Sequence, residues 1–162
     1  MRWKLALASV TLLGAIGSVG AEPLSGADLV RTLSDNTLTG FNGSLWFSEY
    51  HAPDGRILGH NAGVQNDDSC WKVRGDAVCY YYPVPGRKEG DGTAEFCWHL
   101  ERMGQKGFRI TSVGRGGSGG VLLEPGNPRN HTDNGRSWTC DALLSGRERP
   151  NYGSFAALHR RD

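Results

Sequence analysis

The sequence predicts a mainly β protein: an antiparallel meander forming a small barrel or a curved half-barrel, with one short N-terminal helix. Three observations predict it. Short aromatic and β-branched runs alternate with turn residues, and the 162 residues include 24 glycines and 7 prolines. Successive runs follow one another without helical crossovers, which implies sequence-adjacent antiparallel pairing. The stretch from Cys70 to Glu101 keeps a period of two over two successive segments.

The chain opens with Arg2 and Lys4, an apolar run from Leu5 to Ile16, and the small residues Val19-Gly20-Ala21. This pattern predicts a secretory signal over residues 1–21, cut before Glu22. The apolar run is short for a transmembrane helix, so no membrane span is expected after cleavage. Residues 22–145 are then expected to form a single β-rich domain, of a length that supports one core. Residues 146–162 carry four arginines and little apolar content, which predicts a disordered basic tail.

Ser25 is a natural N-cap with Asp28 in the first turn, and Ala27, Leu29, Val30 and Leu33 give one short amphipathic helix ending around residues 34–36. A strand follows over 44–51. Ala52-Pro53-Asp54-Gly55 turns the chain back into a second arm over 56–60. Residues 61–69 read as a polar loop. A hairpin is expected over 70–82, a loop over 83–93, strands over 94–101 and 107–113 around the turn at 102–106, a flexible glycine-rich loop over 114–120, and a last short strand over 121–124. From Arg129 the signal weakens, and Trp138 and Cys140 are expected to fasten this segment to the body.

Placing the hairpin turn at Gly75-Asp76 pairs Val73 with Val78 and Trp71 with Tyr80 on one face, and puts Cys70, Lys72 and Cys79 on the other. In the next strand Phe96, Trp98 and Leu100 share the core face, opposite Glu95, Cys97, His99 and Glu101. The expected core is Trp71, Val73, Val78, Tyr80, Tyr82, Phe96, Trp98, Leu100, Phe108 and Ile110, with Trp98→Ala costing about 3–5 kcal/mol. Four cysteines in an exported chain read as two disulfides, with three possible pairings. In this register Cys70 and Cys79 are only diagonal neighbours, at about 7–8 Å, beyond disulfide reach. Cys79 and Cys97 lie on the outer face of successive strands. The expected bonds are therefore Cys79–Cys97 and Cys70–Cys140.

The formal charge is +1. This near-neutral balance argues against a nucleic-acid partner. The cysteines lack Cys-x-x-Cys spacing, so neither a metal site nor a cofactor is expected. Of His51, His60, His99, His131 and His159, none stand at i, i+2 or i+4 from another. His51 and His60 could approach across their hairpin as a metal site, but surface hairpin residues are the simpler reading. His99 shares a face with Cys97, whose expected disulfide leaves no Cys–His catalytic pair. Gly116-Gly117-Ser118-Gly119-Gly120 matches G-x-S-x-G, yet no strand–turn–helix context surrounds Ser118. Glu95 and Glu101 share a strand face with no visible reason for split pKa values. Arg74-Gly75-Asp76 is accounted for by turn chemistry, and Asn42-Gly43-Ser44 and Asn130-His131-Thr132 are glycosylation sequons that matter only in a eukaryotic host. The aromatic residues Trp46, Tyr50, Tyr80, Tyr82 and Trp98 are the candidate ligand-binding set: a small barrel can hold one apolar ligand, although the same residues could simply fill a core.

The order of Leu24-Ser25-Gly26, Asn36-Thr37, Tyr50, Pro53-Asp54-Gly55, Gly59, Trp71-x-Val73-x-Gly75-Asp76-x-x-Cys79, Cys97 and Gly126-Asn127-Pro128 resembles a family of small uncharacterised secreted proteins, mostly of alphaproteobacteria. The resemblance spans residues 24–128. It implies export, a β-rich domain and a Cys79–Cys97-type bridge, and no known activity. Cys70, Cys140 and the basic tail depart from the pattern. The sequence as a whole points to a periplasmic or secreted binding or interaction module for a small apolar ligand or a protein partner. A small secreted hydrolase is the alternative.

Overall fold

The computed structural model describes residues 21–83, 93–114 and 116–140. The expected signal segment up to residue 20, residues 84–92 of the expected loop, Arg115 and residues 141–162, with the expected basic tail, lie outside the described residues. In chain order the elements are β1 (Glu22–Pro23), α1 (Gly26–Leu33), β2 (Asn36–Asn42), β3 (Leu45–His51), β4 (Ile57–Asn61), β5 (Val64–Gln65), β6 (Cys70–Arg74), β7 (Ala77–Pro83), β8 (Thr93–Arg102), β9 (Gly107–Ser112) and β10 (Ser118–Pro125). The protein is mainly β with one short helix, as the sequence predicts.

The strands form one antiparallel sheet in the order β5-β4-β3-β2-β10-β9-β8-β7-β6, with β1 added to β8. It is two meanders side by side, β2–β5 and β6–β10, joined where β2 pairs with β10. The two edge strands, β5 and β6, are consecutive in sequence and linked only by residues 66–69. So short a link forces the sheet to curve until its edges approach. They meet at one end: Arg56 bridges Cys70, the Ile57 N–H donates to the Ser69 carbonyl (2.9 Å), and the Trp71 N–H donates to the Gly55 carbonyl (2.8 Å). No continuous ladder closes the seam, so the sheet remains a curved, open half-barrel.

The hairpin register is the expected one, with Trp71 opposite Tyr80, Val73 opposite Val78 and Cys79 opposite Cys97. Four strands depart from expectation. β2 occupies residues for which no element is expected, because Asn-Thr-Leu-Thr-Gly-Phe-Asn is too polar to signal a strand. Its threonines are β-branched, and Thr37 and Thr39 are buried on the outer face. β1 and β5 are two-residue strands, too short for any periodicity to show. β10 starts at Ser118, inside the segment expected to be a flexible loop.

The helix closes one end of the half-barrel. Ser25 caps it through its side chain, and Leu29 and Leu33 are fully buried. Gly26 lies so close to the β6–β7 turn that a Cβ there would stand 2.4 Å from the Gly75 carbonyl oxygen. Above the helix the core consists of Leu38, Phe47, Ile57, Trp71, Val78, Tyr80, Leu100, Phe108 and Val121. Val73, Tyr82, Trp98 and Ile110 are only partly buried, and Phe96 is likewise half-exposed. The expected core face is therefore right in phase but is not filled along its whole length.

After β10 the chain runs back over the outer face of the first meander as a strap. Its contacts march in order. The Thr37 hydroxyl of β2 donates to the Gly126 carbonyl (2.7 Å), Ser48 of β3 bonds the His131 ring (2.8 Å), and His60 of β4 stacks edge-on against that ring. Arg56 pairs with Asp133, Arg136 with Asp67, and the Trp138 indole donates to the Ser69 carbonyl. The strap ends in the Cys70–Cys140 disulfide (Cα–Cα 5.8 Å). The second disulfide is Cys79–Cys97, between directly opposed strand positions (Cα–Cα 4.0 Å). Two disulfides suit an oxidising, exported environment.

Candidate functional site

At the end opposite the helix the half-barrel holds a cavity of about 210 Å³. Its walls are Leu38, Phe47, Tyr80, Tyr82, Trp98, Leu100 and Ile110, and its rim includes Phe41, Gly43 and Gly117–Gly119. Strand alternation explains the wall. Opposed pairs share a face, so Leu38 opposite Glu49, Tyr80 opposite Phe96, and Leu100 opposite Ile110 all point inward. The cavity exists because β10 enters it with glycine. Gly119 stands opposite Ile110 on the inner face, and a Cβ at Gly119 would meet nothing within 4 Å.

Its polar focus is Glu49, on the inner face of β3 and only 3% exposed. Three neutral donors converge on one carboxylate oxygen, Oε1: the Tyr82 hydroxyl (2.8 Å), Asn66 Nδ2 (2.9 Å) and Asn61 Nδ2 (3.3 Å). None of these bonds goes to Oε2, and Glu49 has no cationic partner among the described residues. Burial pushes its pKa up, against the lowering effect of the three donors. Deeper in, His51 is fully buried, between Trp71 and Tyr80, with a 3.0 Å contact from Nε2 to the Tyr80 hydroxyl. Burial holds its pKa down at about 4, so the imidazole stays neutral. Its Nδ1 is buried without a hydrogen-bond partner.

Of the candidate ligand-binding residues, Tyr80, Tyr82 and Trp98 line the cavity together. Trp46 and Tyr50 do not. They have the opposite parity on β3 and face outward. Trp46 packs on His60 and under Arg129, and Tyr50 donates to Asp35, which pushes its pKa up to about 12. Of the residues of β3 that do face the cavity, Phe47 belongs to the aromatic excess but not to the candidate ligand-binding set, and Glu49 is not singled out by the sequence. The buried outer position of Ser48 fixes the phase, and only the strap, which was not legible, buries it.

The other sequence candidates are dispersed. Ser118 lies exposed at the start of β10, which runs on as strand, so there is no nucleophile elbow. Glu95 and Glu101 are six positions apart on one strand, roughly 20 Å, well beyond the separations of paired catalytic carboxylates. Each is engaged elsewhere, Glu95 by Arg74 and Tyr81 and Glu101 by Arg109. His51 and His60 do not converge. His51 is opposite Ile57 and points inward, whereas His60 is opposite Ser48 and points outward. Cys79, Glu95 and Cys97 cluster with ligand-like spacing, but both sulfurs are in the disulfide and offer no thiolate. No helix among the described residues is long and apolar enough to cross a membrane.

No family model matches the chain, and no curated protein or solved structure is similar to it. The reading of the site therefore rests on its geometry.

Proposed function

We propose that the protein is a periplasmic or secreted binding module whose half-barrel holds one small, largely apolar ligand. The observation that carries this reading is the unfilled aromatic cavity above a filled core. A cavity of about 150 Å³ accepts benzene when its lining is apolar. At about 210 Å³, this one suits a molecule slightly larger than a single ring, with the aromatic walls supplying contact and the Glu49 group supplying orientation.

Gly119→Leu tests the proposal. The side chain enters open space, so the fold should keep its stability while the cavity fills. Ethylbenzene at saturating concentration should raise the unfolding midpoint of the wild type, by linkage, and leave that of the variant unchanged. Equal behaviour of the two proteins would overturn the reading.

A protein partner is a second reading, favoured by one observation. The β2–β3 hairpin exposes Phe41, Leu45 and Trp46 beside the cavity mouth, and Leu122 extends this apolar surface on β10. Leu122→Ser, outside the cavity lining, should weaken such an association while leaving the uptake of ethylbenzene nearly intact, a difference measurable by sedimentation with and without the partner.

A further inference from the structure

Resting on the cavity reading, we propose that the ligand is a small primary ammonium ion with an apolar body, held by a charge-assisted hydrogen bond to Glu49 Oε2. Four observations lead there. Glu49 is 97% buried by its 3% exposure, yet it borders the cavity. Its three donors all serve Oε1, which leaves Oε2 as the acceptor available to an occupant. Its neighbours within hydrogen-bond reach are neutral, so no cation among the described residues balances it. The rest of the lining is mainly aromatic and aliphatic, including Tyr80, Tyr82 and Trp98, with Asn61 and Ser118 its other small polar side chains.

A buried carboxylate without a countercharge is unfavourable, and a ligand cation removes that penalty while forming the stronger, ionised type of hydrogen bond. Aromatic side chains near the cation add attraction. An anionic ligand would meet Glu49 as a like charge. A neutral apolar ligand would leave Oε2 without a partner. The raised pKa of Glu49 agrees with a site whose charge is completed by its occupant.

The test uses isothermal titration of the disulfide-intact protein with four probes of similar size: 2-phenylethylamine, 2-phenylethanol, phenylacetone and ethylbenzene. The amine should bind at least about tenfold tighter than any neutral probe, as expected for a desolvated charge pair. Glu49→Gln should remove that advantage while leaving ethylbenzene affinity within about twofold. The amine's advantage should also fall as the medium is acidified and Glu49 takes up a proton, and this pH dependence should disappear in the variant. If phenylacetone or the alcohol matches the amine in the wild type, the ammonium assignment fails and the cavity reading stands. If none of the four binds, both fail. Should Glu49→Gln unfold the protein, Glu49→Asp replaces it: withdrawing the carboxylate by one methylene should weaken the amine alone.

Discussion

Glu49 and His51 stand two positions apart on the inner face of β3, and burial favours the neutral form of each. Their effects on stability have opposite signs. His51 has its pKa lowered from 6.5 to about 4, so between those values the unfolded chain takes up a proton that the native state refuses. Stability is therefore lost as pH falls from about 6.5 to about 4, by roughly 3 kcal/mol at about 1.4 kcal/mol per unit. Urea unfolding of His51→Gln should lack this acid limb. Glu49, raised in the native state from 4.5, costs stability as pH rises from that value up to its native pKa, because the unfolded chain gives up its proton first. Glu49→Gln should thus be more stable than wild type at neutral pH, and the difference should vanish in acid. Position also decides the aromatic deletions. Phe108 is 1% exposed, so Phe108→Ala should cost about 3–5 kcal/mol by chemical denaturation. Trp98 already faces empty space, and its deletion should cost less than the 3–5 kcal/mol its sequence position suggests. Aromatic content in the sequence pointed to Tyr80, Tyr82 and Trp98 but could not reveal Glu49, because one acidic residue in an alternating strand looks like a solvated face.

At the scale of elements, the hairpin of β6 and β7 was legible down to residue pairs, because a Gly-Asp turn and strict alternation fix its register. That register in turn excluded Cys70–Cys79 and led to the two disulfides present. The strap was legible only at its far end, in Trp138 and Cys140. Between Gly126 and Asp133 it is held by the side chains of Thr37, Ser48 and Arg56, which leave no periodic signal. The disulfides should differ in worth. Cys70–Cys140 closes a separation of 70 residues and Cys79–Cys97 one of 18. In the loop-entropy model these correspond to about 4 and about 3 kcal/mol. Replacing Cys70 and Cys140 by serine should therefore lower stability more than replacing Cys79 and Cys97, and limited proteolysis should then cut within residues 126–140 first.

The molecule as a whole owes its curvature to a pairing that no local pattern encodes. β2 and β10 are far apart in sequence, and their ladder makes neighbours of two otherwise separate meanders. Sequence alternation could establish strands and faces, but the choice between a closed barrel and an open sheet depends on that ladder and on the short link from β5 to β6. Such long-range closure must be formed before its contacts stabilise anything, so refolding with intact disulfides should take milliseconds to seconds, as stopped-flow Trp fluorescence would show.

The strap also gives this open sheet a hoop. Following the covalent chain from Cys70 through β6–β10, then back along the strap to Cys140, traces one full turn around the molecule, with β2, β3 and β4 held inside it. Where hydrogen bonds leave the wall incomplete, bonds between atoms of the chain complete the circumference. A hoop fails equally wherever it is cut. One backbone cleavage within residues 126–139, with the disulfide intact, should lower the unfolding midpoint as much as replacing Cys70 and Cys140.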